Sequence, residues 1–132
     1  MRFWIIIPIC LITLFFIPTI SATDCPDICE PDIYEEDDAF DLAKVIVPNE
    51  IAQQHNFHDA GDQDWVKFRG AEGMIYMIKV SHVNVIIELY EPFEKSDDVT
   101  VVDTVWDPSA NNSLTWTAPR SGLYYLMIRH RD

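Results

Sequence analysis

The sequence predicts an all-β protein, a jelly-roll-type β-sandwich of about seven to eight strands, and three observations carry that prediction. From Ile51 onward, short runs of strand-forming residues recur at 65–68, 74–80, 85–90, 99–106, 114–117 and 123–128. Turn-forming residues separate most neighbouring runs, among them Gly61, Gly70, Gly73, Asn84, Pro92, Pro108, Pro119 and Gly122. Several runs alternate. Tyr76, Ile78 and Val80 take one face against Ile75, Met77 and Lys79, and Ile87 and Leu89 oppose Ile86, Glu88 and Tyr90. One apolar face per strand means sheets packed on one side. With no long amphipathic helix to cover them, two such sheets must bury each other.

The elements ahead of the strands read differently. Residues 3–20 are almost unbroken apolar sequence after a single positive charge at Arg2, and Ser21-Ala22 supplies small residues before an acidic stretch. That is the layout of a secretory signal peptide over 1–22, with secretion or periplasmic delivery as the consequence. The competing reading is a retained membrane anchor, since eighteen apolar residues approach the length of a spanning helix. Pro8 and Pro18 weaken a rigid span. Residues 23–41 form an acidic leader with nine acids and no base. Its simplest reading is a solvated segment, which accounts poorly for Glu35, Glu36, Asp37 and Asp38 lying directly before the apolar-patterned residues 40–47. Those residues are expected to form a short helical turn or an opening strand. The β-sandwich domain then occupies 42–132.

Charge and cysteines narrow the function. The net charge is −13, and loss of Arg2 with the signal leaves eight bases against 22 acids. Such a surface repels nucleic acid and anionic membranes, and it gathers divalent cations. No stable membrane association is expected after signal cleavage. Cys10 lies in the signal, which leaves Cys25 and Cys29 to pair as a disulfide in an oxidising compartment. A redox or zinc role is disfavoured there. Asp24, Asp27 and Glu30 would raise the thiol pKa, and the histidines do not cluster nearby.

The most informative residues are Gly61-Asp62-Gln63-Asp64-Trp65 with Val66, Lys67 and Phe68, preceded by Gln53-Gln54-His55-Asn56-Phe57 and by Glu36-Asp37-Asp38. Farther on come Glu88-Leu89-Tyr90 and the run from Trp116 through Ala118, Pro119, Ser121 and Gly122 to Tyr124 and Tyr125. In that order and spacing, over residues 30–129, the chain resembles the bacterial pre-peptidase C-terminal domain, a secreted β-sandwich module appended to proteases and other exported enzymes. The resemblance implies a closing strand after Tyr125, which is expected to be missing here or supplied by another chain. It also implies calcium, held where the acidic segment meets the Asp-x-Asp turn. Matched by position, the ligands are Glu35, Asp37 and Asp38 with Asp62 and Asp64. The match departs from the family at Ile33, where an acid is usual, and Asp32 beside it would point elsewhere in an extended strand. The alternative for Asp62 and Asp64 is a turn capped through backbone amides.

Catalysis finds little support in the sequence. No serine elbow, no free cysteine near a histidine and no His-Glu-x-x-His helix appears, so an enzyme is not expected. His55 and His58, three apart, would face opposite sides of a strand, His55 as a structural or surface residue and His58 in a turn. The resemblance implies a binding surface of exposed aromatics, for which Tyr124, Tyr125 and Trp106 are the candidates, one of the adjacent tyrosines having to leave the core. Trp65 and Trp116 are expected to be largely buried and Trp106 more exposed. The functional expectation is a secreted, non-catalytic binding or accessory module with a protein or polysaccharide partner. The alternatives are an inhibitor or chaperone-like partner of an exported hydrolase, or a fragment of a larger secreted enzyme.

Overall fold

A computed structural model of the chain describes residues 9–16, 30–81, 84–92, 99–106 and 112–131. They form a β-sandwich of two mixed sheets, with no α-helix among the described residues. The strands are β1 (Ile9–Phe16), β2 (Lys44–Val45), β3 (Gln53–His55), β4 (Gln63–Gly70), β5 (Ile75–Ser81), β6 (Val85–Pro92), β7 (Val99–Trp106), β8 (Asn112–Thr117) and β9 (Gly122–His130). One sheet runs β3-β1-β5-β8 and the other β2-β4-β9-β6-β7. A 3-10 turn, Phe40–Leu42, precedes β2, so residues 40–47 supply both of the expected forms.

Alternation builds the core. Val66 and Phe68 of β4, Tyr76, Ile78 and Val80 of β5, Ile87 and Leu89 of β6, and Tyr124, Leu126 and Ile128 of β9 fill the space between the sheets. At roughly 1.5–3 kcal/mol for each large apolar side chain removed from water, this layer is the main source of stability. Tyr124 also anchors the turn before its own strand, its O–H donating to the Arg120 carbonyl at 2.8 Å. Its ring lies so close to Gly70 that a Cβ there would sit 2.7 Å from Tyr124 Cδ2 and Cε2. Glycine is required at that point of β4 because the sheet and the ring share the space.

Two expectations about the ends of the chain meet the structure here. Residues 9–16, expected to belong to a signal peptide outside the 42–132 domain, lie inside the sandwich as β1. That strand pairs in parallel with β5 from Ile9↔Ile75 to Phe15↔Ser81 and with β3 from Leu14↔Gln53 to Phe16↔His55. Ile12 enters the core, and Asn49, at φ 65°, clamps Leu11 on both sides. The physical reason is that an apolar, β-branched run serves a signal's hydrophobic stretch and a central strand equally well. No helix among the described residues is long and apolar enough to cross a membrane. Cys25 and Cys29 lie outside the described residues, and Cys10 is free.

A second, smaller apolar cluster sits on the other face of β4. Trp65 and Met127 pack with Ala43, and Phe40, Tyr90 and Tyr125 close around them. Phe40 meets Trp65 and Tyr125 edge-on at centroid distances of 6.3 and 6.0 Å. Trp65 is buried as expected, but by the folded-back leader and not by the opposite sheet. Trp116 is only half-buried, tilted against Tyr76 and edge-on to Tyr124 at the margin of the core, because β8 lies at a sheet edge.

Candidate metal centre

The inward face of β4 carries Asp64, Val66 and Phe68 in strict alternation, so the strand opens with a carboxylate aimed where its next two residues place apolar groups. Gly61, at φ 88°, makes the turn that delivers Asp62 and Asp64 to this end of the sandwich. His55 closes β3 beside them and is fully buried. The acidic segment covers both. Asp37 O accepts from Trp65 N at 3.0 Å, Asp32 Oδ2 accepts from Asn56 N at 2.7 Å, and Glu30 O accepts from Asn56 Nδ2 at 3.2 Å. Residues 30–38 are therefore a lid on the sandwich and not a solvated leader.

Under that lid the acids converge. His55 Nδ1 lies 3.2 Å from Asp64 Oδ1, 3.7 Å from Asp37 Oδ2 and 3.9 Å from Asp32 Oδ2. His55 Nε2 contacts Gln53 Oε1 at 3.2 Å, and the ring stacks on Tyr34 at 4.5 Å. A short step outward, His58 Nδ1 lies 3.0 Å from Glu35 Oε1 and 2.9 Å from Asp62 Oδ2. Three groups bring a ligand atom from each member within 4.8 Å of the others: Glu35, Asp37 and Asp64; Asp32, His55 and Asp64; Glu35, His58 and Asp62.

These acidic clusters can hold a metal ion. The strongest sign is what the carboxylates lack. Asp37 and Asp64 are both 0% exposed, yet neither oxygen of the Asp37 side chain has a hydrogen-bond partner, nor has Asp64 Oδ2. Buried polar atoms are almost always satisfied, and a buried carboxylate with bare oxygens is costly. The electrostatics agree. Burial, then the facing Asp64, pushes Asp37 up to about 8. Burial, then Asp62 and Asp32, pushes Asp64 up to about 9. Burial and Asp62 raise Glu35, and burial raises Asp62 despite its bond from His58 N. Burial also holds His55 below the ordinary imidazole range against the pull of the acids around it. So many carboxylates can share one pocket in two ways: they take up protons, or they surround a cation.

Measured against the sequence, Glu35, Asp37 and Asp64 bring their ligand atoms together, whereas Asp62 groups with Glu35 and His58. Asp38 does not join the converging ligand atoms; it is exposed and interacts with Asp62 from the side. Asp62 fills its alternative role as well, since its Oδ2 accepts from His58 N at 2.7 Å. Asp32 departs from expectation, and so does the facing of the two histidines, although His55 is a buried structural residue and His58 lies in the connection after β3, as expected. Asp32 points inward because residues 33–34 form a turn and not an extended strand. His55 and His58 both face carboxylates because β3 ends at His55, after which alternation no longer applies. The aromatic surface also needs correction. Tyr124 is a core residue, Tyr125 is half-buried beneath Phe40, and the Trp106 side chain lies outside the described residues. No family model matches the chain, and no curated protein matches it significantly.

Proposed function

We propose that the chain is an exported, non-catalytic β-sandwich module of the pre-peptidase C-terminal kind, in which a calcium ion joins the acidic lid to the sandwich. The observation that carries the calcium reading is the Asp37 carboxylate, fully buried with both oxygens bare and facing Glu35 and Asp64. Carboxylate oxygens in excess, drawn from an irregular segment and a turn, suit the large, irregular shell of calcium better than the tight octahedron of magnesium. A non-catalytic role fits the same geometry. Asp37, His55 and Asp64 are sealed from solvent, and a substrate cannot reach them.

Export rests on the apolar run at 3–20 and the small residues Ser21-Ala22. Cleavage there has a structural consequence. It would withdraw β1 from between β3 and β5 and leave both strands to pair with another chain, which is how an accessory module can dock on an exported partner. Calorimetric titration of the full chain with calcium and then magnesium tests the ion: stoichiometric calcium binding with much weaker magnesium binding supports the reading, and equal or absent binding defeats it. Intact mass of the exported protein tests the rest, because a product that retains residues 1–22 removes the docking argument.

A further inference from the structure

We propose that Glu35, His58 and Asp62 form a second cation position, selective for a borderline transition ion such as zinc. It shares Glu35 with the calcium reading and does not depend on that reading being right. The three side chains come from two segments, Glu35 from the acidic lid and His58 and Asp62 from the connection between β3 and β4. His58 Nδ1 stands 3.0 Å from Glu35 Oε1 and 2.9 Å from Asp62 Oδ2. Ligand atoms around a tetrahedral zinc, with bonds of about 2.0 Å, are separated by roughly 3.3 Å. The set is therefore close to the spacing that an ion needs.

A pair of ordinary ion pairs explains the contacts less well. His58 Nδ1 faces both oxygens at once, and Glu35 Oε1 is buried without a hydrogen-bond partner. The carboxylates are interior groups, with side-chain exposures of 5% for Glu35 and 1% for Asp62. The imidazole is 21% exposed, which gives the position an outer side. A cavity of about 220 Å³, lined by Asp62 with Phe57, Gly61, Gln63, Arg129 and His130, adjoins the turn and has room for water. Two carboxylates and one imidazole with a solvent-facing side make a nitrogen-containing set that water can complete. Calcium and magnesium prefer oxygen alone, and the imidazole turns the preference toward zinc.

The experiment is a titration of the full chain with zinc alone in calcium-free buffer, repeated for His58→Gln and Asp64→Asn. Outer contacts to a metal site are worth about 10–100-fold in affinity, so losing a direct ligand should weaken zinc on the order of 100-fold in His58→Gln. The far-UV circular dichroism of that variant should match the parent's, which shows that it is folded. Asp64→Asn should weaken calcium and leave zinc nearly unchanged. Cobalt substituted for zinc gives a second readout, a visible absorption band that disappears in His58→Gln. Zinc binding of equal strength in parent and His58→Gln overturns the proposal, and so does a parent that takes up no zinc.

Discussion

The molecule has two interiors, and they are finished to different degrees. Between the sheets, Val66, Phe68, Ile78, Ile87, Leu126 and Ile128 bury apolar groups against apolar groups, and that layer needs nothing more. At the end of the same strand β4, Asp64 with Asp37, Asp62 and His55 buries charge against charge, and several of those oxygens have no partner. A single residue, Trp65, separates Asp64 from Val66. Alternation commits both side chains to the inside, while the strand's position within the sandwich decides whether inside means hydrocarbon or carboxylate. The apolar interior needs no ion. The acidic one is complete only when protons or a cation neutralise it.

The comparison can be broken at either end. The largest effect belongs to Phe68→Ala, which opens a void in the finished interior and should cost about 3–5 kcal/mol. That loss should be the same in chelator and in calcium when read by denaturant melts. A loss that depends on calcium would mean that the two interiors are not separable.

Next comes pH in the presence of chelator. Asp37 and Asp64 are raised to about 8 and about 9 from unfolded values near 3.8. The folded state therefore binds more protons than the unfolded one. Their contribution is fully present below pH 4 and is lost as pH rises through 8 and 9. His58, raised when the pull of Asp62 and Glu35 outweighs its burial, acts in the same direction. His55, lowered chiefly by burial, opposes it only below the ordinary imidazole range. Melting temperature in chelator should thus fall steadily from pH 7 to 9, and bound calcium should flatten the slope. A flat profile in chelator would show that the acids are not held as the structure has them.

A smaller effect sharpens the finished side. Gly70→Ala pushes a methyl group into the Tyr124 ring and should cost about 1–3 kcal/mol, with no change in cation response. A variant that melts like the parent would mean that β4 and Tyr124 can separate freely.

Much of the apolar interior was legible in the sequence, because period-two alternation names the buried face residue by residue. Tyr76, Ile78, Val80, Ile87 and Leu89 all lie where the pattern put them. The acidic interior was legible only in part. Glu35, Asp37, Asp62 and Asp64 follow from the Asp-x-Asp turn and the acidic run that precedes it. Asp32, His55 and His58 were missed because their directions depend on where a turn interrupts a strand, and alternation cannot supply that. One signal was present: His55 is followed by Asn56 and Phe57 with no further alternation, which marks the end of β3. Trp65 was placed inside correctly, although periodicity alone sets it on the same face as Lys67. Its cover comes from Phe40 and Ala43, segments that the local pattern of β4 does not mention. Residues 9–16 were read for their hydrophobicity and not for their pairing, since a central strand and a signal share one composition.

The most direct test is thermal melting of the parent and Asp64→Asn, each in chelator and in calcium. At a hundredfold excess over its Kd, calcium should stabilise the parent by about 2.7 kcal/mol and raise its melting temperature by several degrees. Asp64→Asn removes one buried charge at nearly constant shape. It should melt above the parent in chelator at pH 8 to 9 and gain little from calcium. A variant that melts below the parent in chelator and keeps the full calcium shift would contradict the account, because Asp64 would then be satisfied without a cation and the ion would bind elsewhere.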